Sequence, residues 1–151
     1  MAPDGQTVVF ATADDFKRSL YRRRLAAQTV ELITGTADGE VPFFSPDGRS
    51  LGFFANNRLY RVPIEGGTAV AIATSTYRYG ATWLPDDSVV FASNDTPDLM
   101  RVPAGGGTPE AVVPTGPREL VAGGRFRRTY PSLSPDDRFV RHVNRGPRVG
   151  P

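Results

Sequence analysis

The chain has 151 residues, of which 39% are apolar, 10% aromatic and 23% charged, with a formal net charge of +2. That length and balance suit one globular domain with a sizeable core, and no apolar run approaches the length of a membrane-spanning helix. Cysteine is absent, which excludes disulfides, thiolate nucleophiles and cysteine-ligated metals and leaves the redox compartment open. The first residues, with Asp4, Asp14 and Asp15, lack the basic and apolar regions of a signal peptide, so none is read and localisation is left open.

In chain order, the first unit opens on the turn Pro3-Asp4-Gly5. Val8-Val9-Phe10-Ala11, Leu20-Tyr21-Arg22 and Thr29-Val30-Glu31-Leu32-Ile33 follow as short strand segments. The second unit is the fullest. Val41-Pro42-Phe43-Phe44 runs into Ser45-Pro46-Asp47-Gly48, which suits a type I turn: serine first, proline with its fixed φ second, aspartate third, glycine fourth. Ser50 to Ala55 is a second strand, Asn56-Asn57 a tight connection, and Arg58 to Ile64 a third strand. Glu65-Gly66-Gly67 turns the chain into a fourth, Thr68 to Ile72. Pro63 and Pro103 must sit near a strand end or bulge, because proline donates no ladder hydrogen bond.

The third unit copies this order, with Ala81 to Leu84, Pro85-Asp86-Asp87, Val89 to Ala92, Leu99 to Pro103, Gly105-Gly106-Gly107 and Ala111 to Val113. The fourth offers two strands, Tyr130 to Leu133 and Phe139 to Val143, around Pro135-Asp136-Asp137. Beyond these the basic, proline-bearing stretch 144–151 is expected to be disordered.

The period is the main signal. Leu20, Leu59 and Leu99 lie 39 and then 40 residues apart, and Thr29, Thr68 and Thr108 keep the same spacing. A repeat of about forty residues built from four short strands is the pattern of a β-propeller, and no segment carries a sustained helical period. The expected fold is all-β: a partial β-propeller of three four-stranded antiparallel blades plus the start of a fourth. It occupies 1–143, in units of about 3–39, 40–79, 80–115 and 130–143.

Catalytic constellations are missing. Val70-Ala71-Ile72-Ala73 has the shape of a kinase lysine strand, but Ala73 stands where lysine is needed, and no His-Arg-Asp or Asp-Phe-Gly sequence occurs. His142 is the single histidine, no Gly-x-Ser-x-Gly elbow is present, and no histidine-rich zinc site can be assembled. Asp14-Asp15, Asp86-Asp87 and Asp136-Asp137 lack the alternating spacing of a calcium loop and read as turn caps. No catalytic, cofactor-binding or metal-ligating residue is assigned, and no cofactor is expected.

The cations cluster twice, in Lys17, Arg18, Arg22, Arg23 and Arg24 and again from Arg118 to Arg148. Few aromatic residues are interleaved with them, so solvated strand faces and a basic tail are the better reading than nucleic acid. Loops such as Tyr77-Arg78-Tyr79 and Arg125-Phe126-Arg127-Arg128 are the candidate contact points on a rigid frame.

The Ser-Pro-Asp-Gly turn and its partial copies resemble the TolB-like, WD-repeat-like propeller family. The runs 20–25 (Leu-Tyr-Arg-Arg-Arg-Leu), 42–54 and 59–67 (Leu-Tyr-Arg-Val-Pro-Ile-Glu-Gly-Gly) are most similar to the propeller of bacterial receptor-like serine/threonine protein kinases. The resemblance implies a non-catalytic interaction or sensor module and a fragment of a larger protein, extracytoplasmic if it follows a kinase membrane span. It also implies a protein or peptide partner, with the blade ends met by neighbouring blades of the parent chain or by self-association. A TolB-like periplasmic partner-binding propeller and the propeller gate of a prolyl oligopeptidase-like serine peptidase are the alternatives.

Overall fold

The computed structural model describes residues 1–14, 17–27, 29–75, 80–92, 99–112, 129–133 and 140–144. All regular secondary structure among them is β-strand, in antiparallel sheets that follow one another along the chain. The first sheet holds β1 (Thr7–Asp14), β2 (Lys17–Arg24) and β3 (Val30–Leu32). The second holds β4 (Glu40–Phe44), β5 (Ser50–Ala55), β6 (Arg58–Pro63) and β7 (Val70–Thr74). The third holds β8 (Ala81–Trp83), β9 (Ser88–Ala92), β10 (Leu99–Pro103) and β11 (Glu110–Ala111). Strands β12 (Thr129–Leu133) and β13 (Val140–Asn144) pair as a fourth. Each full sheet is a four-stranded meander in sequence order. The first sheet starts at its second strand, as its opening turn requires.

Local chemistry explains the punctuation. In the second blade the Gly48 amide donates to the Ser45 carbonyl at 2.9 Å, and Gly48 has φ +70°. The buried Ser45 hydroxyl donates to Asp47 Oδ1 at 2.6 Å and accepts the Ser50 amide at 2.9 Å. Asp47 Oδ1 also accepts the Arg49 amide, at 3.0 Å. In the third blade Asp87 replaces the glycine at φ +60°, a conformation aspartate tolerates, and Trp83 Nε1 donates to its carboxylate at 2.9 Å. Asn56 and Asn57, at φ +48° and +58°, form the hairpin turn between β5 and β6, where both central residues must be left-handed. Pro63 and Pro103 are the last residues of β6 and β10. Pairing of β6 with β7 starts at Arg61 opposite Val70, so no strand faces the position where Pro63 lacks its N–H.

These turns make the fold acid-sensitive in a definite direction. The Ser45 hydroxyl and the Arg49 amide hold Asp47 below the usual carboxylate range. The Ser88 hydroxyl does the same for Asp86, against some desolvation, with the Ser88 amide and the Arg101 charge adding to it. A carboxyl depressed by folding contributes stability that is complete above its unfolded pKa, about 4, and is lost as pH falls through the folded value. Thermal midpoints should therefore be level above about pH 5 and fall below about pH 4. Ser45→Ala should cost about 1 kcal/mol at neutral pH, and the gap to wild type should narrow in acid. An offset constant down to the lowest pH would remove the Ser45–Asp47 bond as its cause.

Packing follows the period of two along each strand. Leu51, Phe53 and Ala55 of β5 face the first blade and join Leu20, Ile33 and Val62 in one buried cluster. Phe54 points the other way, into a cluster with Leu59, Ile72, Trp83, Val89, Phe91, Val102 and Ala104 of the second and third blades. Val90, Ala92 and Leu99 form the far face of the third blade, and β12 packs beside β8 and β9. Innermost strands are neighbours, β4 beside β8 and β8 beside β12, which is blade-on-blade stacking around an axis.

The outer strands depart from the expected limits. The fourth strand of the second blade runs Val70–Thr74 instead of from Thr68 to Ile72, with an irregularity in its pairing to β6 between Leu59 and Tyr60. Thr68 and Ala69 belong to the connection after the glycine turn. An outermost strand has one partner only, so its limits depend on where that partner presents hydrogen-bonding groups.

Candidate interaction site

At the end of the blades where the Pro-Asp turns lie, one arginine ties two blades together. Arg22 on β2 faces the second blade, and its side chain is only 13% exposed. Its Nε bonds Glu31 Oε2 at 2.8 Å, and its Nη1 donates to the Ile64 carbonyl at 2.8 Å and to Glu65 Oε2 at 2.5 Å. Partial burial alone would lower its pKa, but the hydrogen bonds and charges of Glu31 and Glu65 raise it. Arg22, with help from Arg24, holds Glu65 below the carboxylate range. Beside this clamp lies a cavity of about 590 Å³ lined in part by Asp4, Gln6, Arg22, Arg24, Leu25 and Glu65. Its lining is charge-balanced, and its cations are already paired to acids.

Three members of the first basic cluster, Arg18, Arg22 and Arg24, form ion pairs, while Arg18, Arg23 and Arg24 stay exposed as a solvated strand face would have them. Arg18 pairs with Glu40 at 2.8 Å and Arg24 with Glu65 at 3.1 Å. The exposed pairs contribute little each, and each one offsets a cation that a polyanion would otherwise meet.

A larger feature lies on the outer side of the first blade. Register places Phe10, Tyr21 and Leu32 across from one another, and beside them Val8, Arg23 and Val30. The Phe10 and Tyr21 rings stack at 6.3 Å with 21° between their planes. Val30 and Leu32 are each 51% exposed, and Val8, Phe10 and Tyr21 are only half-buried. The opposite face of the same sheet carries the fully buried Leu20. The corresponding outward face of the third blade is covered, with Val90 at 1% exposure.

The free edge of β1 points the same way. The Ala2 amide donates to the Thr7 carbonyl, and the Leu25 amide to Gln6. Alternation along an antiparallel strand then directs the N–H and C=O of Val9 and Ala11 away from β2. In the second and third blades that side of the equivalent strand is paired to β4 and β8.

Most of the residues singled out from sequence are placed. Asp86 accepts the Ser88 hydroxyl and amide at 2.6 and 3.1 Å and pairs with Arg101. His142 lies in β13 opposite Pro131. Val70 to Ala73 lie on the outer strand β7. Tyr77 to Tyr79, Arg125 to Arg128, Asp15, Asp136, Asp137 and the tail beyond Asn144 lie outside the described residues. Sequence reading missed the Arg22 clamp, although Arg22, Arg61 and Arg101 share the period of Leu20, Leu59 and Leu99. It also missed the buried hydroxyls of Thr36 and Ser75, 39 residues apart. Thr36 accepts the Leu20 amide at 3.0 Å and donates to the Ile33 carbonyl at 2.6 Å.

Successive four-stranded meanders with inner strands adjacent and apolar faces stacked define a run of β-propeller blades, and the fold is a partial β-propeller. Solved structures agree. The chain is similar to TolB from Acinetobacter baumannii, with 18% identity over 93% of this chain and 35% of that one, at a TM-score of 0.65. It is similar to a protein described as TolB from Agrobacterium tumefaciens, with 22% identity over 94% of this chain and 56% of that one, also at 0.65. The β-propeller domain of the Trilobed protease from Pyrococcus furiosus matches 64% of this chain at 17% identity and a TM-score of 0.51. These likenesses establish the TolB-like propeller fold, and the chain spans only part of each of those proteins. No protein-family model matches the sequence, and none of the curated proteins matches it.

Proposed function

We propose that the chain is a non-catalytic protein-interaction module, an arc of a larger propeller that acts as the sensor or scaffold part of its parent protein. The observation that carries this reading is the first blade's half-exposed sheet of Val8, Phe10, Tyr21, Val30 and Leu32, beside an edge of β1 that no strand among the described residues pairs. A repeat buries its apolar faces against neighbours, and a sheet face of this kind beside an open edge associates. The partial coverage of the TolB structures supports the same view. Scattering and size exclusion of the isolated chain across a concentration series should show self-association or an open arc. A compact monomer with no dependence on concentration would sink the proposal.

The parent most in keeping with the residues 20–25, 42–54 and 59–67 is a bacterial receptor-like serine/threonine kinase. The second reading, a TolB-like partner-binding propeller, is favoured by the structural likeness to the two TolB proteins. The flanking gene sequence separates them. A kinase domain and an apolar span upstream support the first, a secretion signal and a different upstream domain the second, and a Gly-x-Ser-x-Gly elbow downstream would point to a peptidase.

A further inference from the structure

The seam between the first and second blades and the seam between the second and third are built differently, although they are formed by corresponding parts of the repeat. Between the first and second blades, the loop after β3 lies against the glycine turn after β6. The Gly67 amide reaches the Thr34 carbonyl at 3.2 Å. A Cβ on Gly35 would stand 2.0 Å from the Gly67 carbonyl oxygen, and one on Gly66 would stand 2.5 Å from Thr34 Oγ1. Only glycine permits that approach, and Gly35 has φ +81°.

Between the second and third blades the counterparts are Ala73 and Thr74 against Gly106 and Gly107. Thr74 carries a β-branched side chain where Gly35 has none. The seam stands apart there: a Cβ on Gly106 would find its nearest atoms, in Ala71 and Ile72, at 3.8 Å. Beside that gap lies a groove of about 580 Å³, lined by Arg58, Ile72, Thr74, Phe91, Met100 and Thr108 among others. That volume lies within the range of about 300–1,000 Å³ in which pockets hold ligands.

Three features of the groove select its occupant. Its floor is apolar, from half-buried Ala73 and Met100 over the buried Ile72 and Phe91. One wall is β7, which among the described residues is an outermost strand paired only to β6. The Ser75 amide donates to the Asn57 carbonyl, so the preceding residue, Thr74, directs its N–H and C=O outward, along the groove. The third feature is Arg58, exposed at the start of β6, with no acidic partner among the described residues. A free strand edge over an apolar floor accepts an extended peptide by strand addition, and an unpaired guanidinium favours a carboxylate on it.

We infer that the seam between the second and third blades is a docking groove for an extended acidic peptide, which adds along the outer edge of β7. Its apolar side chains rest on Ala73 and Met100 and a carboxylate bonds Arg58. This deepens the interaction-module reading but does not depend on how the first blade is covered, since the groove lies on other blades.

The test titrates the full chain, isotopically labelled for amide NMR, with an acetylated hexapeptide of alternating leucine and glutamate and with its leucine–lysine counterpart. Shifts are expected at Thr74, Met100 and Thr108 with the glutamate peptide and not with the lysine one. Arg58→Ala should weaken binding about tenfold, the effect of one charge-assisted bond. Arg58→Lys should keep part of the affinity, and Thr108→Trp should abolish binding by filling the groove while leaving the Trp83 environment unchanged. Equal binding of the two peptides, shifts confined to the first blade's open face, or insensitivity to both Arg58→Ala and Thr108→Trp would overturn the inference. A failed interaction-module reading would show instead as a compact monomer in scattering, whatever the peptides do.

Discussion

Phe53→Ala is expected to detach the first blade from the second, and Phe54→Ala the second from the third, each at a cost of about 3–5 kcal/mol. The two rings are consecutive in sequence and each is 1% exposed, yet they lie in different clusters on opposite faces of β5. Phe53 stacks on Tyr60 at 5.5 Å and packs with Leu20 and Ile33 of the first blade. Phe54 packs with Trp83, Val89 and Phe91 of the third. Stability in a repeat array is nearly a sum of unit and nearest-neighbour contributions, and a loss of this size is a large fraction of the total of about 5–15 kcal/mol. Hydrogen exchange resolves the outcome. Phe53→Ala should release amides of β1 to β3 before those of β8 to β10, and Phe54→Ala the reverse. Uniform loss of protection in both variants would show the blades to be one cooperative unit.

Gly52→Ala should be the next most damaging change, because of a single ring. Phe43 lies across β5 where a Cβ on Gly52 would meet its Cζ at 2.0 Å. The ring is not free to leave, since it rests on Trp83 at 6.4 Å, edge to face, and on Phe54 at 6.5 Å. Overpacking of this kind costs about 1–3 kcal/mol. The double variant Gly52→Ala with Phe43→Ala should then lose less than the sum of the two single losses, since the clash disappears with the ring. Trp83, the single tryptophan of the chain, reports the displacement by its fluorescence. Strict additivity in the cycle would mean that glycine is needed at 52 for the backbone and not for Phe43.

Much of this architecture was legible in the residues. Ser45, Pro46, Asp47 and Gly48 make their turn from atoms within six residues, and Asn56-Asn57 makes its hairpin from its own left-handed backbone. Chemistry that local can be read from a string of letters. The outer strands were placed less well, as the shift from Thr68 to Val70 at the start of β7 shows. The Arg22 clamp was not read at all: Glu65 lies on the next blade, and a charge 43 residues away is a partner only once two sheets are stacked. Of the arginines in the first basic cluster, only Arg22 departs from a solvated surface, with its side chain 13% exposed.

The candidate grooves divide the same way. That the first unit opens on its turn was visible from the position of Pro3-Asp4-Gly5. That its outer face carries stacked Phe10 and Tyr21 in half-exposure required the register of β1, β2 and β3. Thr74 at the place of Gly35 is present in the aligned repeat, but its meaning depends on how closely two backbones approach. No propensity or period encodes that distance.

By itself, then, the sequence determined an all-β repeat, the order of strands within each blade and the turns that end them, because these follow from bonds within a few residues and from alternation along a strand. Only the tertiary structure decided which arginines meet acids on the next blade, which seam closes and which opens, and which apolar face stays half-exposed among the described residues. Those depend on contacts between blades, where residues about forty positions apart meet.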